Sequence, residues 1–178
     1  LYDRAMAGYQ PATLAAAHAA PGDRILDVGC GSGQLAIDLV RATPGARAVG
    51  LDLSAALLDV ARTRAAGLAV EFRQADAQVH ALGTATYDLV VSRTGTMFFG
   101  DPEAAFTNVA TATRPDGRLV MLVWRGIAEN EWLREIFEAL RDDRDLPMPP
   151  PGAPGTFAQS DPATVEPQLT AAGWSNIA

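Results

Sequence analysis

Arg24-Ile25-Leu26-Asp27-Val28-Gly29-Cys30-Gly31-Ser32-Gly33-Gln34-Leu35-Ala36 is the stretch on which the reading of this chain turns. Ile25, Leu26 and Val28 form an apolar run suited to a strand covered on both faces, and Gly29, Gly31 and Gly33 follow at alternate positions. Glycines tolerate positive φ and let a backbone approach a ligand closely, so the stretch reads as buried strand, tight turn and helix start. N–H groups at the start of that helix favour an anionic or carboxylate-bearing ligand through hydrogen bonding and the helix dipole. A nucleotide-like cofactor is the ligand expected here; a plain βα connection is the alternative.

Outward from the turn, strands and helices alternate. Leu35, Ile37, Leu39 and Val40 populate a helix that Pro44-Gly45 ends, and Ala48 to Leu53 is a second strand closing on Asp52. Asp52 lies roughly twenty residues beyond the glycines, where carboxylates that accept from ribose hydroxyls occur. The competing role, capping the next helix, suits Ser54 better. That helix runs from Ser54 to Ala66 through Leu57, Leu58 and Ala61, with Gly67 as its stop. Leu68 to Arg73 alternates like an edge strand and runs into Gln74-Ala75-Asp76-Ala77-Gln78; Tyr87 to Ser92 is a central parallel strand. Ligands of open α/β sheets bind beyond the carboxyl ends of the strands, which brings Gly33, Asp52, Asp76, Ser92, Arg93 and Thr94 together.

The loop 94–102 is unusually apolar. Asp101 with Pro102 caps the next helix, whose buried face is Ala105, Phe106, Val109 and Ala110. Phe99 or Phe98 is a staple onto that helix, or else Met97 and Phe98 form a wall of the ligand pocket. Arg114-Pro115-Asp116-Gly117 then reads as a turn into a fifth strand, Leu119 to Trp124.

A dinucleotide fingerprint, G-x-G-x-x-G, needs a small residue at its sixth position, and here that position is Gln34. The Asp27-Val-Gly-Cys-Gly-Ser-Gly sequence instead resembles motif I of the class I S-adenosylmethionine-dependent methyltransferases, small-molecule type, and the helix-Arg-Pro-x-Gly-strand sequence at Arg114 is similar to a second hallmark of that family. The resemblance covers about residues 1–124. It implies an α/β fold: a doubly wound, Rossmann-like, mainly parallel sheet with helices on both faces, in the order 3-2-1-4-5, plus a sixth-strand stub at Trp174 to Ala178 and an incomplete C-terminal hairpin. It implies S-adenosylmethionine as cofactor and a small-molecule acceptor. The cofactor-binding residues it suggests are Asp27, Gly29, Gly31, Gly33, Asp52 with Leu53, Asp76 with Ala77, and Ser92; Asp76 would accept from the adenine amino group, or else serve only as a loop residue. The alternatives are a nicotinamide-dependent oxidoreductase, which Gln34 opposes, and a non-catalytic cofactor-binding module.

The flanks complete one domain, 1–178. Residues 1–20 are expected to be a covering helix opened near Pro11, with Tyr2, Asp3 and Tyr9 either a lid over the cofactor or part of a core edge; 21–125 is the cofactor-binding core. Residues 126–178 hold a helix from Asn130 to Asp143 that is core or lid, a Pro- and Gly-rich connector, and a last helix from Pro162 to Gly173 weakened by Pro167. The chain begins at Leu1 rather than Met, so a piece of a longer protein is expected.

Composition narrows the partners. A net charge of −7 opposes a surface that tracks phosphates, so nucleic acid is not the expected substrate. No run is apolar for long enough to span a bilayer. All 14 basic residues are Arg, which excludes lysine chemistry. The single cysteine, Cys30, fits a reducing cytoplasm and reads as packing rather than as a nucleophile. His18 and His80 are the only histidines and the only candidates for a neutral-pH base; neither has a partner motif, and no metal-ligand cluster stands out.

Overall fold

A computed structural model describes residues 6–141, 150 and 153–178. Tyr2, Asp3 and much of the Pro-rich connector lie outside the described residues. Five parallel strands form one sheet: β1 (Arg24–Val28), β2 (Arg47–Asp52), β3 (Val70–Gln74), β4 (Tyr87–Arg93) and β5 (Thr113–Leu122). Their order is β3-β2-β1-β4-β5, as the family resemblance implies. The helices are α1 (Gln10–Ala17), α2 (Gln34–Ala42), α3 (Ala55–Arg64), α4 (Pro102–Ala112), α5 (Glu131–Arg141) and α6 (Pro162–Ala171).

Both faces of the sheet are covered, which is why its inner strands are apolar throughout. One face carries Leu26, Val28, Leu51 and Val90 against Phe106 and Val109 of α4 and Val165 and Leu169 of α6. The other carries Ile25, Ala48, Leu89 and Val91 against Ala17 of α1 and Leu35, Ala36 and Leu39 of α2. Local chemistry sets the helix starts. Ser54 Oγ accepts from Leu57 N–H, Asp101 Oδ1 from Ala104 N–H, and Asp161 Oδ1 from Ala163 N–H, each satisfying an otherwise orphaned donor. Pro102 and Pro162 stand in first turns, where the missing N–H is harmless. α1 ends earlier than Pro21, on His18 in the left-handed region (φ +43°).

Two expectations need correction. Arg114-Pro115-Asp116-Gly117 does not precede β5 but is a bulge within it: Tyr87 pairs with Thr113 and Leu89 with Arg118, so one step of two residues on β4 spans five on β5. Asp116 takes φ +65° to make it. At the C-terminus, residues 174–178 form no strand; Trp174 instead turns its indole onto α4, donating to the Phe106 carbonyl at 3.2 Å. Of the two roles open to the helix after β5, core or lid, the core is excluded: none of the residues of α5 is buried, and Trp132, Ile136 and Leu140 are exposed.

Candidate functional site

The carboxyl ends of β1 to β4 open into one cavity of about 760 Å³, within the range of small-molecule sites. The glycine turn forms its floor. Gly29, Gly31 and Gly33 all have positive φ, but they serve different ends. A Cβ on Gly33 would strike Phe72 at 2.6 Å, so this glycine lets the turn pack onto β3 and α3. A Cβ on Gly29 would lie 2.7 Å from Gly95 Cα, which makes Gly29 the point where the turn meets the loop after β4. Gly31 alone faces open space, and it lines the cavity.

Asp52 ends β2 at the cavity wall. One carboxylate oxygen accepts from Gly31 N–H and the other from Ser54 N–H, both at 2.8 Å. The two bonds hold the carboxylate in place and leave each oxygen a second lone pair. Leu53, two-thirds exposed at 66%, stands beside it on the rim with Leu57 and Val60.

Asp27 is fully buried in the middle of the sheet. Its Oδ2 accepts from Ala36 N–H at 3.1 Å, but Oδ1 has no hydrogen-bond partner among the described residues. Burial pushes its pKa up to about 7, against the lowering by the Ala36 bond and by the Arg93 charge, with Asp52 adding repulsion. A buried carboxylate oxygen without a donor, at the wall of a cavity, is a place for a ligand N–H or a water. Cys30, beside it, is buried against Phe72 and Gly50, and burial pushes its thiol up, so it is no nucleophile at neutral pH.

After β3, Asp76 lines the cavity with Ala77 and Gln78. Its carboxylate accepts from Gln78 N–H at 2.9 Å and from the Gln78 amide, capping the 76–80 turn. Ser92 does not line the cavity. Its buried hydroxyl donates to the Val28 carbonyl at 2.8 Å and accepts from Gly95 and Thr96 N–H, which ties the β4 loop to β1. The Ser92 side chain is thus a strut of the site, because β4 carries it to the opposite face from Arg93.

The far wall is apolar: Met97, Phe98, Phe99 and Trp124. Phe99 packs edge-on against Phe106 of α4 at 5.8 Å, so it is the staple, whereas Phe98 is 59% exposed and borders the cavity. Tyr9 and Trp132 each meet Trp124 edge-on, at 5.9 and 5.8 Å. Thr156 completes this side, and its segment is docked by Gln159, whose amide both accepts from Thr96 Oγ1 and donates to the Thr96 carbonyl. Gly95, Trp124, Thr156 and Gln159 were not singled out from the sequence; Thr94-Gly95-Thr96 inside an apolar loop was the signal for the first. Neither His18 nor His80 lines the cavity. Among the described residues no cluster of His, Cys, Asp or Glu could hold a metal.

This geometry has counterparts. The methyltransferase domain family matches residues 25–117, more than half of the chain. The chain belongs to that family. An uncharacterized protein of Mycobacterium tuberculosis is 36% identical over 124 residues, covering 68% of this chain and 44% of the relative. The demethylmenaquinone methyltransferase of Thermus thermophilus is 39% identical over 101 residues, covering 56% of this chain and 46% of the relative. Among solved structures, a TehB-like SAM-dependent methyltransferase from Corynebacterium glutamicum is 31% identical, covers 66% of each chain and superposes with a TM-score of 0.56. The chain spans less than half the length of these curated relatives. The family's cofactor is S-adenosylmethionine, and the residues present fit it: an open glycine cradle at Gly31, a fixed carboxylate at Asp52 and a buried acceptor at Asp27 Oδ1.

Proposed function

We propose that this chain carries the donor seat, and part of the acceptor wall, of an enzyme that moves a methyl group from S-adenosylmethionine to a small organic molecule. The observation that carries the reading is the union, in one cavity, of a polar strand-end side built on Asp52 with an apolar aromatic side built on Met97, Phe98 and Trp124. The cofactor supplies a methyl group already activated by a sulfonium. Asp52 accepts from the ribose hydroxyls with its remaining lone pairs. Asp76 and Ala77 receive the adenine, with Leu53 covering it from the rim, and Gly31 with its flanking Gly29 and Gly33 admits the amino-acid end. Ser92 keeps the β4 loop against β1.

What the protein contributes to the step is alignment and exclusion of water, because a displacement at an activated methyl needs the nucleophile in line and at contact distance. The apolar wall suits an acceptor with an apolar or aromatic body. With no histidine at the cavity among the described residues, an acceptor that is a good nucleophile once bound fits better than one needing a strong base. The demethylmenaquinone in the name of the Thermus relative supports a small organic acceptor. The lone buried cysteine supports a reducing, cytoplasmic setting; no helix among the described residues is long and apolar enough to cross a membrane.

Titration calorimetry tests the donor half. S-adenosylhomocysteine is expected to bind, and Asp52→Ala to weaken it by about 1.5–3 kcal/mol, the worth of a charge-assisted hydrogen bond. Binding of NADH without S-adenosylhomocysteine would favour a nicotinamide enzyme instead. Methyl transfer to a panel of small hydroxyl, amine and carbon acceptors, followed by mass spectrometry, tests the acceptor half; binding without any turnover would leave a cofactor-binding module.

A further inference from the structure

At the end of the sheet opposite the glycine turn, the amino ends of β1 to β4 border a second cavity, also of about 760 Å³, which shares no lining residue with the first. The connections explain it. A parallel sheet needs cover on both faces, and on the side where α4 and α6 lie the β3–β4 connection, residues 75–86, supplies Leu82 but no helix. The outer part of that face is left as a cleft with Val49, Leu68, Val70 and Leu82 in its apolar lining.

The charge of this cleft runs against that of the chain. In a protein of net charge −7, Arg24, Arg47 and Arg73 line it with a single acid, Glu71. Glu71 is spent on Arg73, from which it accepts at 2.7 and 2.9 Å. Asp88, nearby, is spent on the Arg24 N–H and the Arg114 guanidinium. Arg24 and Arg47 remain, and they are register partners on neighbouring parallel strands, so their side chains leave the same face about 4.8 Å apart. Neither guanidinium has a hydrogen-bond or ion-pair partner among the described residues, whereas Arg62, Arg73, Arg114, Arg125 and Arg134 are each paired with a carboxylate. Like charges a strand spacing apart repel, and an anion between them removes that cost.

Tyr87 adds an independent sign of a ligand. Its side chain lines the cleft with only 3% exposed, and its hydroxyl has no partner among the described residues, although a buried Tyr O–H ordinarily finds one. Burial holds its pKa above the ordinary value, against the lowering by Arg73 and Arg24 and with Glu71 raising it further, so at neutral pH the hydroxyl is a donor. All three of those charges belong to the cleft.

We propose that this cleft is a second ligand site, taking a small organic phosphate: a phosphate monoester on an apolar or aromatic body. Two guanidinium groups balance a group that carries about −1.5 to −2 charges at neutral pH. Arginine forks fit phosphate oxygens in pairs, Tyr87 donates to a further oxygen, and the apolar lining receives the body. The site is independent of the methyl transfer proposed above.

Phenyl phosphate, inorganic phosphate, benzoate and phenol separate the requirements. In titration calorimetry of the unaltered chain at low salt, phenyl phosphate should bind about tenfold more tightly than inorganic phosphate, from burial of the ring, and more tightly than benzoate, while phenol should not bind measurably. Arg24→Gln and Arg47→Gln should each weaken phenyl phosphate about tenfold, and Tyr87→Phe about threefold, for the loss of charged and neutral hydrogen bonds. Arg41→Gln, at an exposed arginine outside the cleft, should leave it unchanged. Backbone amide shifts in the unaltered chain locate the ligand: Arg24, Arg47, Val70 and Tyr87 should move with phenyl phosphate, and Gly31 and Asp52 should not. Binding that moves Gly31 and Asp52 instead, or that survives loss of both arginines, would overturn the proposal. Equal and weak affinity for phenyl phosphate and inorganic phosphate would also overturn it, leaving two solvated arginines and no site.

Discussion

Asp27 is where the chemistry of one residue sets a cost for the whole fold. Its carboxyl titrates at about 7 in the folded chain against 3.8 as a free group, because burial disfavours the charge. The folded state therefore holds a proton that the unfolded state releases from pH 3.8 upward, and stability contributed at this position falls as pH rises to about 7 and is level beyond it. The full effect is on the order of 4 kcal/mol from the energy of a pKa unit. Asp27→Asn should thus melt at a higher temperature than the unaltered chain at pH 8 and match it near pH 4, by thermal denaturation at both pH values, while binding S-adenosylhomocysteine more weakly. An equal pH slope in the two proteins would mean that Asp27 is ionised without penalty. Gly95 makes a second prediction at this scale. A Cβ there would come within 2.5 Å of the Val28 carbonyl, so Gly95→Ala should lower both the melting temperature and cofactor affinity although it adds one methyl group.

Among the elements, those read from local pattern came through and those made by distant partners did not. The glycine turn, the Ser54 and Asp101 caps and the apolar strands depend on neighbours within a few residues, and each stands where its pattern put it. The Arg93–Gln10 bond joins residues 83 apart, and the Thr96–Gln159 pair residues 63 apart; no spacing rule reaches that far. The bulge at Asp116 was misread for a related reason, since Pro-Asp-Gly is turn chemistry in isolation and only pairing with β4 makes it an irregularity inside a strand. The Thr96–Gln159 pair predicts behaviour at this scale. Both are buried, so Gln159→Ala takes from the Thr96 hydroxyl its side-chain acceptor, at a cost of about 1–3 kcal/mol, while the Thr96 carbonyl keeps Phe99 N–H. The segment 153–160, held also by Gly155 N–H on the Met97 carbonyl, should then lose amide protection in hydrogen exchange ahead of the β-sheet. Uniform loss across the sheet would mean that the segment is no independent unit.

For the molecule as a whole, β5 forms one edge of the sheet, pairing with β4 and with no other described strand, and its apolar Leu119 to Leu122 are only half-buried. Unpaired strand edges invite association. The 178-residue chain should therefore show concentration-dependent sedimentation, and a single monomeric species at all concentrations would show the edge to be shielded. The order of the strands was legible through the family resemblance that the glycine turn carries, and the side of the sheet on which a ligand is expected through the strand ends, because ligands of open α/β sheets sit beyond the carboxyl ends. The apolar wall was only half legible: Met97 and Phe98 stand in a loop, but Trp124, Tyr9 and Trp132 come together only when the residues just after β5 and just before α1 meet α5. The contact of Gly29 with Gly95 has a bearing on how such a domain can change over evolution. The glycine turn and the loop after β4 share one backbone pivot with no room for a side chain on either part, so on the function proposed above drift at the pivot disturbs donor and acceptor together. On the same reading, new acceptors would be reached chiefly along the arm beyond that pivot, at Met97, Phe98 and the 153–160 segment, where side chains can be exchanged without disturbing the glycine turn.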